Sequence, residues 1–561
     1  MRLNVDKLQF RVLYRVFLLR VIDLELLSGD GDATRLLGQF AAMFAGVSIL
    51  LTVPLVLTGG VQPQTSLWYM EHVLISTTMA VVGLFSVLSW DSLVPDRRDV
   101  LVLAPLPIRA STLFSAKLAA VAASLGLVIV SLNVLSGFLW PLLFAPVGGG
   151  VLGAIRSLLA YWMTIILAAA FTFCSVLGVQ GIAAQLLSRQ RYLRLSALLQ
   201  VAGFCLFIGL YFLEPSLETR EALTAQENQK LLACLPSYWF LGLFQQLNGS
   251  LSPGFSPLAS RAWMGLAVAA STAGGVLLIS YFRTLRKLVE EPDILPAPSR
   301  FPWLPPGNGS AQSAILRFSL RTLLRSRQHR LIATFYLGVG GAAVLTYLRI
   351  ALGDRNFIQA MKTSQARVVV LSASILLMCI AVTGIRGVFS IPISLGANWV
   401  FRMTELLEVP EYVTAVRLTL LLMSVTPVWL LFAIALLSMW PLRLATEHLL
   451  ALSMFGGCLV ELSLRGFQKL PFTCSYLPGK ANVHIMFWTA VLLAIPVAYQ
   501  TARFEERLLN NPMHYVFLIL ILSAVLAGLR WHIKAGAIAA ARLEFEDLAT
   551  PEVFALQLDR S

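Results

Sequence analysis

Residues 91–117 read DSLVPDRRDVLVLAPLPIRASTLFSAK, a charged stretch punctuated by Pro105 and Pro107 and flanked on both sides by long apolar runs. Prolines at that spacing cannot be carried inside one continuous helix. The charged run Asp96, Arg97, Arg98 and Asp99 is costly to hold in hydrocarbon. The chain therefore leaves the lipid here and returns, and the insert is placed to be read by something outside the membrane.

The rest of the chain agrees with that reading. Of its 561 residues, 57% are hydrophobic and 13% charged, far from the globular norm. The mean hydropathy of +0.77 points the same way, to a polytopic membrane protein. A helix needs about 20 apolar residues to cross the hydrocarbon, and its backbone must satisfy its own hydrogen bonds there. Repeated runs of that length, with no strand-like alternation, predict an all-α transmembrane bundle. Twelve spans are expected, at 37–58, 67–89, 118–141, 157–186, 194–213, 262–282, 331–349, 367–388, 416–440, 443–464, 484–501 and 513–530.

The formal charge of +14 is carried by Lys and Arg beside the apolar runs, so anionic lipid accounts for it and nucleic acid is not a partner. Cys174, Cys205, Cys234, Cys379, Cys458 and Cys474 show no metal spacing. The N-terminal segment carries Arg2, Lys7, Arg11, Arg15, Arg20 and Arg35, whereas the next loop, 59–66, carries no basic residue. The positive-inside rule puts the N-terminus in the cytoplasm. Interleaving of basic and apolar residues predicts an interfacial helix there rather than a cleaved signal peptide. The alternation holds through the first half, and counting twelve spans puts the C-terminus in the cytoplasm as well. It weakens where Arg349, Arg355, Lys362 and Arg367 crowd a loop counted as external.

A proline-rich segment, EEPDILPAPSRFPWLPPGNGS at 290–310, reads as a semi-rigid linker. It divides the chain into a first half, 1–289, a linker, 290–311, and a second half, 312–561. Lys7, Arg11, Arg15 and Arg20 are matched at an offset of 310 by Arg317, Arg321, Arg325 and Arg330, each set leading into the first span of its half. Both halves then place a longer cytoplasmic insert before their third span. The second insert is SIPISLGANWVFRMTELLEVPEYVTAVR, 390–417, and Lys117 and Arg417 close the two.

The segment LVLAPLPIRASTLFSAK, 101–117, resembles a signature found after the second span of ABC-2 type exporter permeases. The resemblance implies an interfacial helix before each six-span half, a coupling helix between its second and third spans, and often a re-entrant segment before its sixth. LPSYWFLGLFQQL, 235–247, stands at that last place. Its Tyr238, Trp239 and Phe240 suit a membrane interface, as re-entrant segment or as external lid. In the first insert Asp96, Arg97, Arg98, Leu103, Pro105, Pro107, Arg109 and Lys117 would meet the ATPase, the apolar contact coming from Leu101, Leu103, Leu106 and Ile108. The second departs from the pattern, since Glu411 and Tyr412 follow Pro410, and Trp399, Arg402 and Glu405 have no counterpart in the first. With Arg417 they form a weaker second coupling set.

No GxxxxGK[ST] loop and no ABC signature is present, so the chain is expected not to be an enzyme. ATP and Mg²⁺ would be handled by a separate ATPase, in two copies, and this chain would bind no cofactor. The expected setting is a bacterial plasma membrane. Glu71 with His72, Glu447 with His448, and Glu461 offer a proton relay, although interfacial burial also accounts for the two pairs, and the depths of Arg386 and Glu461 are open. An ion-coupled transporter, a lipid scramblase and an enzyme acting on lipid-linked substrates are the competing classes. The inserts discriminate among them, because only an exporter needs them to hold an ATPase. Asn248-Gly-Ser matches a glycosylation acceptor by a tripeptide common by chance.

Overall fold

The computed structural model describes residues 2–22, parts of 37–52, 64–89, 106, 108–145, 149–187, 189–214, 225–249, 254–290, 311–352, 364–393, 409–465, 470–473, 483–509 and 512–539. Among them the regular structure is helical, and the chain divides into two compact units, Met1–Ser299 and Arg300–Ser561. The division falls within 290–311. Among the described residues six helices are long and apolar enough to cross a membrane: 67–88, 111–132, 150–186, 366–388, 411–439 and 513–538.

The first unit contains α1 (Arg2–Ile22), α2 (Gln64–Leu88), α3 (Ala110–Leu132), α4 (Ser136–Leu143), α5 (Gly150–Leu186), α6 (Arg189–Leu213), α7 (Pro236–Asn248) and α8 (Phe255–Glu290), with a short turn at Gln229–Cys234. Of the expected span 37–58, the described pieces between 37 and 52 are helical. At its 37 residues α5 is about 55 Å long, well beyond the hydrocarbon thickness. α2 packs against α5, α6 and α7, and α8 lies along α5 and α7.

The expected span 118–141 is corrected. α3 starts inside the insert, at Ala110, and stops at Leu132. Asn133 ends it by returning its side-chain amide to the Ile129 carbonyl at 2.9 Å, while its own carbonyl oxygen accepts the Tyr161 hydroxyl at 2.7 Å. α4 then contains Pro141. A Cβ at Gly137 would lie 2.9 Å from the Trp162 ring, so the chain turns against α5 where only glycine fits.

The second unit contains α9 (Ala311–Arg325), α10 (Arg327–Leu352), α11 (Ser364–Val388), α12 (Val409–Leu420), a π-helical turn Leu421–Val425, α13 (Thr426–Met439), α14 (Leu442–Ser463), α15 (Val483–Leu509) and α16 (Pro512–Ala539). Pro427, which has no N–H, sits in the first turn of α13, and the Thr426 hydroxyl donates to the Leu421 carbonyl at 3.0 Å. α11 lies at the centre, packed against α10, α14 and α15. α14 and α15 fill the places of the expected spans 443–464 and 484–501.

Pairings recur between the units. α1–α3, α2–α5, α2–α6 and α5–α8 in the first have counterparts in α9–α12, α11–α14, α11–α15 and α14–α16 in the second. In each unit, the basic helix at its head lies on the helix that leaves its insert.

Candidate functional site

At the first insert, Asp96, Arg97, Arg98, Leu103, Pro105 and Pro107 lie outside the described residues. Leu106 and Arg109 are exposed, but Ile108 packs inward on the cluster of Leu13, Phe17, Leu113, Ala116 and Ala120 that joins α1 to α3. Lys117 does not close the insert on its solvated side. It lies in α3, is 3% exposed, and holds its ammonium 5.1 Å from the centroid of the Phe17 ring. The reason is that the helix resumes directly after Arg109, which carries Lys117 into the α1 interface.

α1 turns Leu13, Phe17 and Val21, spaced by four, to the core, and exposes Lys7, Arg11, Arg15 and Arg20 beside Leu8, Val12 and Val16. An exposed face that mixes cations with apolar side chains suits a lipid surface. The second basic set is not one helix. Arg317, Arg321 and Arg325 lie on α9, and Arg330 lies beyond a break on α10. Ser326 stands at that break, and its hydroxyl meets His329 Nδ1 at 2.7 Å. The other His329 nitrogen reaches the Ile391 carbonyl at 2.8 Å, where the second insert begins.

Of the second coupling set, Trp399, Arg402 and Glu405 lie outside the described residues, and Pro410 stands in the first turn of α12. Arg417 belongs to α12 and faces the bundle. Its guanidinium meets Glu461 of α14 at 2.7 and 3.1 Å, and Arg530 of α16 meets the same carboxylate at 3.0 Å. Glu461 is 1% exposed. Arg386, in the last turn of α11, donates to the Ser463 carbonyl at 3.1 Å and to Ser390 at 3.1 Å. Both residues whose depth was open in the sequence thus lie at the end of the unit that bears the insert.

A second polar group lies one helix length away. His448 is 13 residues from Glu461 on α14, which is about 20 Å along the axis. Its Nε2 meets Ser374 Oγ of α11 at 2.9 Å, and its Nδ1 meets Glu505 Oε1 of α15 at 2.8 Å. The Tyr515 hydroxyl of α16 lies 3.0 Å from the same Oε1 and 2.7 Å from the Glu447 carbonyl. All four side chains are buried. Sequence reasoning singled out Glu447 and His448 but missed Ser374, Glu505 and Tyr515. Glu505 lies beyond the expected span, which ends at 501, whereas α15 runs to Leu509.

The first unit has its own cluster, on α2 about 25 Å from the insert end. Gln245 of α7 donates to Glu71, Ser237 of α7 donates to Glu214, and Ser76 donates to Glu214 at 3.1 Å. His72 Nε2 is 3.5 Å from Glu214, and the imidazole stacks on Tyr238 at 4.1 Å between centroids.

The expectation of an interfacial aromatic segment is corrected by α7. Tyr238 and Phe240 are buried, and the half-buried Trp239 donates to the Leu232 carbonyl at 2.8 Å. Gly242 lets α7 lie so close to α8 that a Cβ there would be 2.9 Å from the Ala259 nitrogen and from the Phe255 carbonyl oxygen. A short helix enclosed by α2, α5 and α8 buries its aromatic rings in protein instead of in headgroups.

No protein-family model, no curated protein and no solved structure matches the chain.

Proposed function

We propose that this chain is the membrane permease subunit of an ABC-type exporter, with twelve spans in two six-span halves, working in a bacterial plasma membrane with both termini in the cytoplasm. The observation that carries the reading is the packing of α1 on α3 and of α9 on α12. In each unit, a push on the insert passes at once to an interfacial helix and to a membrane helix. Two copies of a separate ATPase would bind ATP and Mg²⁺ and push on the inserts. The two units would then alternate the opening of a path for a hydrophobic or amphipathic substrate.

A second reading, an ion-coupled transporter or lipid scramblase, is favoured by the buried acid–imidazole groups at Glu71/His72/Glu214 and His448/Glu505.

The test is purification of the full-length chain with the ATPase subunits that accompany it, followed by the double reversal Arg97→Glu, Arg98→Glu. The expected result is loss of association and of MgATP turnover by the complex. If no ATPase accompanies the chain, or if the reversal leaves both unchanged, the exporter reading fails.

A further inference from the structure

The chain of contacts through His448 ends at both extremities on a backbone carbonyl. In order, the contacts are Leu371 O to Ser374 Oγ at 2.7 Å, Ser374 Oγ to His448 Nε2 at 2.9 Å, His448 Nδ1 to Glu505 Oε1 at 2.8 Å, Glu505 Oε1 to Tyr515 OH at 3.0 Å, and Tyr515 OH to Glu447 O at 2.7 Å. Each contact needs one hydrogen between its two heavy atoms. The terminal carbonyls can only accept.

The hydrogens can be counted. Ser374 and Tyr515 supply one each, and an overall neutral His448–Glu505 pair supplies two, whether the proton sits on the imidazole or on the carboxyl. Four hydrogens then serve five contacts, so one contact is always left as two facing lone pairs. A fifth hydrogen removes the defect. Ser374 then donates to Leu371, imidazolium Nε2 to Ser374, imidazolium Nδ1 to Glu505, the Glu505 hydroxyl to Tyr515, and Tyr515 to Glu447. That state holds an imidazolium and a protonated carboxyl side by side and carries one extra positive charge.

We propose that this chain is a proton-binding site, and that the bound proton ties α11, α14, α15 and α16 together at the end of the second unit remote from the insert. The order hydroxyl, imidazole, carboxylate is also that of a nucleophilic triad, but Ser374 has no exposed surface on which to meet a substrate. A proton needs no such opening. Among the neighbouring charges Arg443 pairs with Glu447 at 2.9 Å on α14 and Arg367 of α11 with Glu506 of α15 at 3.3 Å, while Arg503 and Arg507, two residues to either side of Glu505 on α15, are exposed. On α16 the titratable neighbour is His514, which is exposed beside Tyr515. The proton site stands whether ATP or an ion gradient drives the protein. A silent proton titration leaves the exporter reading intact, and a missing ATPase leaves the proton site intact.

The experiment is an infrared titration of the full-length protein in lipid nanodiscs between about pH 8 and about pH 5, the range in which an imidazole changes charge. Isotope-labelled glutamate marks the carboxyl, and Glu505→Gln and His448→Gln assign the bands. At the acid end the wild type should show a protonated Glu505 carboxyl together with the His448 imidazolium. Tyr515→Phe keeps the buried ring but removes the acceptor for the Glu505 proton. It should weaken proton binding about tenfold, the scale of one charge-assisted hydrogen bond. Should Glu505→Gln not fold, the labelled wild type and Tyr515→Phe decide alone. The proposal is overturned if no protonated carboxyl joins the imidazolium, or if Tyr515→Phe leaves the midpoint in place. A midpoint that follows Na⁺ concentration at constant ionic strength overturns it too, in favour of a metal cation.

Discussion

At the scale of single residues, Glu461 shows how a charge is kept inside an apolar bundle. A lone carboxylate there would be prohibitive, and two guanidiniums offset the cost. They are not equivalent, because the Arg417 side chain is 17% exposed and that of Arg530 is 52%. Water screens the second pair far more than the first. Arg417→Ala should therefore destabilise the second unit by on the order of 3 kcal/mol, and Arg530→Ala by less than about 1 kcal/mol. Replacing Arg417 and Glu461 together by methionine should recover most of the loss in a double-mutant cycle followed by chemical unfolding in detergent. Equal effects of the two alanine variants would sink the assignment of Arg417 as the principal partner.

At the scale of helices, α7 depends on one missing side chain. Because the atoms facing Gly242 at 2.9 Å belong to the α8 backbone, they cannot rotate aside. Gly242→Ala should cost about 1–3 kcal/mol through overpacking. Gly274→Ala, on the same α8 but with nothing within 4 Å of its added Cβ, should be neutral or slightly stabilising. Thermal unfolding of the two variants side by side makes the comparison. The same helices show what could be read beforehand. α2 and α14 matched their expected spans within three residues at each end, because long runs with marked ends carry the helical signal locally. The break after α3 was missed because it is decided by Tyr161 and Trp162, both on another helix. The polar groups were half legible for the same reason. The pair Glu447 and His448 can be noticed in one line of sequence, but Glu505, 57 residues on from His448, becomes its partner only through packing.

At the scale of the whole molecule, the partition at Ser299 and Arg300 predicts that the units unfold separately. A protease site inserted within 291–310 and then cut should leave both calorimetric transitions at their uncut midpoints, and loss of either transition would show that one unit needs the covalent link. α16 exposes Val516, Phe517, Leu520, Ile521 and Val525, a run of apolar side chains that suits contact with lipid. The partnership of Glu71 with Gln245 also has a consequence in time. The two are separated by 174 residues, so a ribosome adding about 5–20 residues per second leaves Glu71 without its amide for roughly ten to thirty seconds. Throughout that interval α2 has to be threaded into lipid with an acid that the finished protein alone can accommodate, and α7, among the last pieces of the unit to be made, ends the wait.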